Sequence, residues 1–266
     1  MAETPFVSPW ADPPATPAPP APPAAPRAPS LIVNLLSTAL LFAWLGWQMG
    51  WIWGLAGVVG VFVHEFGHVL VINALGFGPS RIRIIPFLGG AATMPRLPDT
   101  EFKGVLISLA GPAFGMIAAL PFFAAAWATH DPQWLGGAFF VGALNLINLI
   151  PSPPLDGAKA LGPPLARIHP LLERFALAAV GAAAVVWMFS RGSLIAPIFI
   201  GLGTFALLRS SRLRPAARRL SWGEWAASLG LYVAVTGLCA AGAVLALPGV
   251  RLIGPLQFLG LSGGHS

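Results

Sequence analysis

Apolar residues run along this chain in stretches long enough to cross a bilayer, separated by short polar or proline-rich intervals. The stretches lie at about 31–49, 51–75, 103–127, 134–150, 172–190, 194–208 and 225–247, the sixth being short for a span. In the interval between the second and third, Arg81-Ile82-Arg83-Ile84-Ile85 alternates with period two, and Gly89-Gly90 before Ala91-Ala92-Thr93 reads as the turn of a hairpin, with a plain connecting loop as the alternative. The expected fold is an all-α polytopic membrane protein with six or seven transmembrane helices and a small β-hairpin between spans two and three.

Outside these stretches the pattern changes character. Residues 1–30 are dense in Pro and Ala and lack apolar periodicity, which predicts a disordered or partly polyproline tail. The 31–49 stretch lacks a small-residue cleavage site after a brief apolar core, so it reads as a retained first transmembrane span. Residues 50–160 carry every candidate for chemistry, 161–250 hold additional transmembrane helices, and 251–266 form a C-terminal tail.

Composition agrees: 56% of residues are hydrophobic, 9% are charged, and the mean hydropathy of +0.76 excludes an ordinary soluble domain. The formal charge of +6 is mostly topology. Arg27, then Arg81, Arg83, Arg96 and Lys103, then Lys159, Arg167 and Arg174, and finally Arg209, Arg212, Arg214, Arg218 and Arg219 all fall on one side of the expected layout. Only Arg191 and Arg251 fall on the other. Loops rich in Lys and Arg stay in the cytoplasm, so the N-terminus is expected inside and the C-terminus outside, in what reads as a bacterial cytoplasmic membrane. Contact with the lipid bilayer accounts for the Arg209–Arg219 cluster, and no nucleic acid is expected. Tryptophans 44, 47, 51 and 53 at one junction and 222 and 225 at another read as interfacial belts. The single cysteine, Cys239, allows no internal disulfide and is expected to face lipid or fill packing space.

One polar group breaks the second apolar stretch: His64-Glu65-Phe66-Gly67-His68. Histidines four apart on a helix share a face, where both imidazoles can bind one Zn²⁺, and the intervening glutamate can reach a water beside the metal. Ionisable groups inside a membrane helix are costly and usually line a cavity. A catalytic zinc needs a third protein ligand, and Asp99, Glu101, His130, Asp131, Asp156, His169 and Glu173 are available. Asp156 stands out because it follows an apolar span in a run with three prolines, Asn148-Leu-Ile-Pro-Ser-Pro-Pro-Leu-Asp156-Gly157, where a broken helix suits a cavity wall. A turn or helix-cap aspartate before Gly157 is the alternative. Gly67 either allows close approach beside the metal or serves helix packing.

Four elements together resemble the site-2 protease family of intramembrane zinc metalloproteases: HEFGH, the Gly89-Gly90 pair after Pro86-Phe87-Leu88, Ser108-Leu-Ala-Gly111-Pro112, and NLIPSPPLDG from Asn148 to Gly157. The resemblance covers about residues 50–160. It implies one Zn²⁺ per chain held by His64, His68 and Asp156, Glu65 as the catalytic acid and base, and Asn148 holding substrate or the developing oxyanion. Gly89 and Gly90 would lie along bound substrate, and the partners would be transmembrane proteins cut in regulated intramembrane proteolysis. Two positions depart from the pattern: Gly115 stands where many members carry Asn, so any polar contact there is absent or replaced, and Lys159 stands where Arg is common.

Two other classes compete: a zinc-dependent membrane hydrolase of a lipid or small molecule, and a non-enzymatic ion-binding transporter. Glu65 between the two histidines argues against the transporter, which needs no positioned base. The layout itself is testable with reporter fusions, which should place residues near 95, 165 and 215 in the cytoplasm and residues near 131 and 260 outside. A cytoplasmic C-terminus would mean that one expected span, 194–208 first among them, does not cross.

Overall fold

The computed structural model describes residues 31–85, 89–190, 192, 195–209 and 217–253. The 1–30 tail, Pro86-Phe87-Leu88 and residues 254–266 of the C-terminal tail lie outside the described residues.

Each apolar stretch forms a helix. α1 (Leu31–Met49) and α2 (Trp51–Ala74) meet at Gly50, whose φ of 104° lets the chain reverse within one residue. The two pack closely: a Cβ at Gly54 would come within 2.8 Å of the Phe42 carbonyl oxygen. α3 (Glu101–Gly115) passes through a 3₁₀ turn at Met116–Ala119 into α4 (Leu120–Thr129). Its N-terminus is capped by Thr100, which accepts from the Lys103 amide at 3.2 Å. α5 (Gln133–Asn148) is followed by the proline-rich loop, then by α6 (Asp156–Ile168), α7 (Pro170–Ser190), α8 (Ile195–Arg209) and α9 (Trp222–Ile253).

Five candidate spans are long and apolar enough to cross a membrane: Ile32–Met49, Trp51–Ala74, Glu101–Thr129, Pro170–Ser190 and Trp222–Pro248. The protein is thus an integral membrane protein. The stretches expected at 134–150 and 194–208 form helices of 16 and 15 residues, short of a full span. α6 was not foreseen as a separate helix, because its apolar residues lie on one face and Pro163-Pro164 interrupts it.

Between α2 and α3, β1 (Ile82–Ile85) pairs antiparallel with β2 (Gly89–Ala92). The register sets Arg83 opposite Ala91 and Ile84 opposite Gly90, and the Thr93 amide donates to the Arg81 carbonyl at 2.9 Å. Antiparallel pairs alternate between those that exchange hydrogen bonds and those that do not. The Thr93 N–H points at Arg81 O and the Arg81 N–H at the Thr93 hydroxyl, so by this alternation Gly90 and Ala92 turn their N–H and C=O groups away from β1, toward the outer edge of β2.

Small residues bring the helices together, as expected where apolar burial alone gives little drive for association. A Cβ at Gly142 of α5 would lie 3.0 Å from Ala243 of α9. Cys239 of α9 is fully buried with its sulfur 3.7 Å from the Pro112 carbonyl oxygen, so it fills packing space and does not face lipid. Trp53 is likewise buried, edge-on to Phe140 at 6.0 Å, and the Trp225 indole N–H donates to Pro164 O at 3.1 Å. These two tryptophans do packing work beyond a surface belt. The segment before α9 crosses to the start of α3: the Arg218 amide donates to Asp99 O at 2.8 Å and Glu101 N donates to Arg218 O at 2.9 Å. The Arg218 guanidinium forks onto Glu224.

Candidate metal centre

α2 supplies three of the site's side chains. A helix turns about 100° per residue, so His64 and His68 point the same way and Glu65 points about a quarter-turn aside. The histidines face α3 and the start of α6, and Glu65 faces β2. All three are buried, at 3%, 7% and 5% exposure. The two histidines tolerate this because partners converge on them.

Asp156 arrives from 88 residues beyond His68 because the chain cannot continue α5. Prolines 151, 153 and 154 lack the N–H that a helix needs, and the loop turns through Ser152 N to Ile150 O at 2.7 Å and Leu155 N to Ser152 O at 2.9 Å. Leu155 is extended at φ −64°, ψ 159°, and Asp156 opens α6. Gly157 makes the fold-back feasible, since a Cβ there would overlap the Leu149 carbonyl. The Tyr232 hydroxyl of α9 donates to that same Leu149 carbonyl at 2.5 Å. From α8, Gly203 packs so closely on the loop that a Cβ would lie 2.7 Å from Pro153 O.

The result is a tight triangle. His64 Nε2 and His68 Nε2 lie 3.2 Å apart, and each is 3.1 Å from Asp156 Oδ2. The other carboxylate oxygen, Oδ1, accepts from the Lys159 ammonium at 3.1 Å. Both outer ring nitrogens face oxygens: His64 Nδ1 is 2.8 Å from Asn145 Oδ1, and His68 Nδ1 is 2.7 Å from Ile107 O. Rings that donate from Nδ1 present lone pairs at Nε2, so three acceptor atoms point at one place. Such a triangle is stable only around positive charge, a ring proton or a cation. Zinc–nitrogen bonds of 2.0–2.1 Å at tetrahedral angles separate ligand atoms by about 3.3 Å, which the observed edges match. The donor set therefore fits a zinc ion. Among the described residues, His64, His68 and Asp156 are the group so arranged.

The other acidic and histidine candidates are engaged elsewhere. Asp99 pairs with Lys103 at 3.0 Å, Glu101 accepts from Leu220 N at 3.1 Å, Asp131 accepts from Gln133 N, and His169 Nδ1 accepts from Leu171 N. His130 closes α4 in the left-handed conformation, at φ 55°. Glu173 is buried and lines the same cavity as the triangle, outside it.

That cavity measures about 730 Å³ and is bounded by His64, Glu65, His68, Gly90, Asn148 and Asp156, among others. Asn148 donates from its carboxamide to Leu144 O at 3.1 Å and reaches the cavity wall, not the triangle. Gly90 lies directly against Glu65, and a Cβ there would overlap the glutamate side chain. Gly89 pairs with Ile85 at the end of the ladder, so Gly89 and Gly90 belong to the second strand and are not the turn expected from the sequence.

Gly111 and Gly67 stand in the motifs read from the sequence, and Asn145 escaped sequence reasoning. Gly111 packs against both imidazoles, where a Cβ would overlap the Nε2 region of His68 and come within 2.8 Å of His64 Nε2. Gly67 is a packing glycine, since a Cβ would lie 2.7 Å from Phe114 Cβ. Asn145, fully buried in α5, reaches His64 through space left by Gly115, where a Cβ would overlap its carboxamide. The polar contact in doubt at Gly115 is thus supplied from another helix. The usable signal was an asparagine in the middle of an apolar helix, a costly placement that calls for a partner.

An integral membrane protein with a buried two-histidine, one-aspartate cluster belongs to a narrow class, and the similarities of the chain agree with that class. Residues 35–153 match the family described as Peptidase M50B-like. Over 122 residues the chain is 33% identical to a Synechocystis sp. protein named as a putative zinc metalloprotease, a match that covers 43% of this chain and 31% of that protein. The match thus spans about a third of the relative's length. No solved structure matches the chain. At the level of the family, the resemblance to site-2 proteases read from the sequence motifs is borne out. The family match ends at Pro153, three residues before Asp156, so Asp156 joins the site by geometry and by the motif around it.

The packing around Gly111 gives a test. Gly111→Ala should displace the imidazoles and lower zinc occupancy while the protein stays folded, which metal analysis beside thermal unfolding in detergent would read. Unchanged zinc would mean that α3 yields without moving the rings.

Proposed function

We propose that this protein is a zinc-dependent intramembrane endopeptidase that cuts transmembrane segments of membrane proteins. The observation that carries the reading is the coincidence of three elements in one cavity: the His64–His68–Asp156 triangle, the Glu65 carboxyl beside it, and the outer edge of β2 along it. A pure ion site explains the triangle and leaves Glu65 and the strand edge without a role.

In this reading His64, His68 and Asp156 hold the zinc, and Lys159 keeps the free oxygen of Asp156 from swinging away. Bound zinc would supply Lewis acidity toward a carbonyl and make a water acidic enough to lose a proton near neutral pH. Glu65 accepts that proton on its carboxylate and later delivers it to the leaving amide nitrogen. Contact of the Glu65 side chain with Gly90 fixes the carboxylate relative to β2.

Substrate recognition follows from the ladder register. Gly90 and Ala92 turn backbone groups outward and both line the cavity, so an unwound substrate segment adds there as a further strand. Main-chain bonding of this kind demands extended backbone, not a particular sequence. It favours substrates whose helices are weakened by Gly, Pro, Asn or Ser near the cut. Asn148, on the cavity wall, is placed to hold the substrate or the developing oxyanion. The cation distribution supports an N-terminus in the cytoplasm, and regulated proteolysis in a bacterial membrane is the proposed context.

Two sets of variants test this. Glu65→Gln should keep near-stoichiometric zinc while cleavage of a helical membrane substrate falls by about 100-fold or more, and Asp156→Ala should lose zinc as well as activity. Full activity in Glu65→Gln would sink the mechanism, and undiminished zinc in Asp156→Ala would move the third ligand elsewhere. Ala92→Pro removes an outward-facing N–H without touching the β1 ladder, so cleavage should fall while zinc content holds. Normal binding and cutting in that variant would leave the hairpin a connector and shift substrate binding to the region from Asn148 to Pro154.

A further inference from the structure

The triangle can accept one cation in common only if both histidines keep an unprotonated Nε2 turned into it. For His68 the choice is made by a backbone carbonyl, Ile107 O, which no substitution removes. For His64 it is made by a side chain from a different helix, 81 residues away. We propose that Asn145 is the positioning residue of the metal site: it holds His64 as the Nδ1–H tautomer and so commits Nε2 to the metal. The proposal rests on the zinc-site reading above.

The orientation of the Asn145 carboxamide is determined, not free. Its nitrogen lies 2.9 Å from Val141 O, an atom that can only accept, so that end must be the NH₂. The carbonyl oxygen is then the end that faces His64 Nδ1 at 2.8 Å, and an oxygen there requires a proton on the ring nitrogen. Both partners are buried, Asn145 completely, so water does not substitute for either bond. The space for the carboxamide exists because residue 115 is glycine. A bond of this kind fixes the ring plane as well as the tautomer, and it makes Nε2 the better donor.

A residue that merely glued α5 to α2 would contribute stability and leave metal affinity alone, and that difference decides the experiment. Asn145→Leu is close in volume and removes the acceptor. Purified in detergent and titrated with zinc against a chromophoric chelator, it should bind zinc about 10- to 100-fold more weakly than wild type. Zinc affinity equal to wild type would overturn the proposal, whatever the loss in thermal stability. Solid-state ¹⁵N NMR of histidine-labelled, zinc-loaded wild-type protein gives a second reading independent of how the variant folds. His64 should show a protonated Nδ1 and a metal-bound Nε2, and a metal-bound or unprotonated Nδ1 would overturn the assignment. Wild-type protein that takes up no zinc would overturn the metal-site reading itself, and this one with it.

Discussion

Everything in this molecule turns on keeping two imidazoles and a carboxylate buried together in an apolar helical bundle. Their three inner atoms lie within 3.2 Å of one another and all accept hydrogen bonds once the outer ring nitrogens donate. An uncompensated carboxylate in such surroundings would neutralise itself by taking up a proton. Lys159 on the outer oxygen favours the charged carboxylate, while the fixed acceptors behind both rings turn the Nε2 lone pairs inward, so a cation at the centre is what would compensate all three. A site built this way is arranged in advance for a cation, and the rest of the fold can be understood as what keeps the arrangement in place.

Several close glycine contacts gather around it. Gly111 and Gly67 let α2 and α3 approach until α3 touches the imidazoles, and Gly115 opens room for Asn145. Gly90 does the same for Glu65. Gly111, Gly115 and Gly90 leave their volume to His68, Asn145 and Glu65, and Gly67 leaves its own to the α3 backbone and Phe114. Helix association in a membrane relies on such close contact, since lipid tails compete equally well for apolar surface. The same contacts that hold the helices together therefore set the geometry of the site.

The C-terminal helices share this task, although the family match ends before them. α8 presses on the Pro153 carbonyl, the α9 tyrosine holds the carbonyl at the end of α5, and the α9 tryptophan bonds the proline-interrupted α6. A loop with three prolines has few backbone donors of its own, so it depends on neighbours for its shape. Asp156 sits at the end of that loop. In this protein α8 and α9 act as scaffolding for the segment that carries Asp156, which gives them a structural role beyond contact with lipid.

Local sequence determined what depends on local periodicity. The long apolar runs became helices at nearly the expected bounds, and the four-residue spacing of His64 and His68 put both on one face, because helix geometry follows from neighbours in the chain. Proline-rich NLIPSPPLDG announced a break with an aspartate at its end for the same reason. Tertiary structure alone decided the rest. That Asp156 and not Glu173 completes the triangle, that Asn145 and not Asn148 reaches His64, and that Gly90 backs Glu65 all depend on which helices meet and at what depth. Contacts between residues 25, 81 or 88 positions apart leave no period in the sequence, since they are set by packing of whole helices against one another. The two short helices, α5 and α8, show the same division: their apolar composition made them visible as helices, while their 16 and 15 residues left the number of full crossings to the bundle they join.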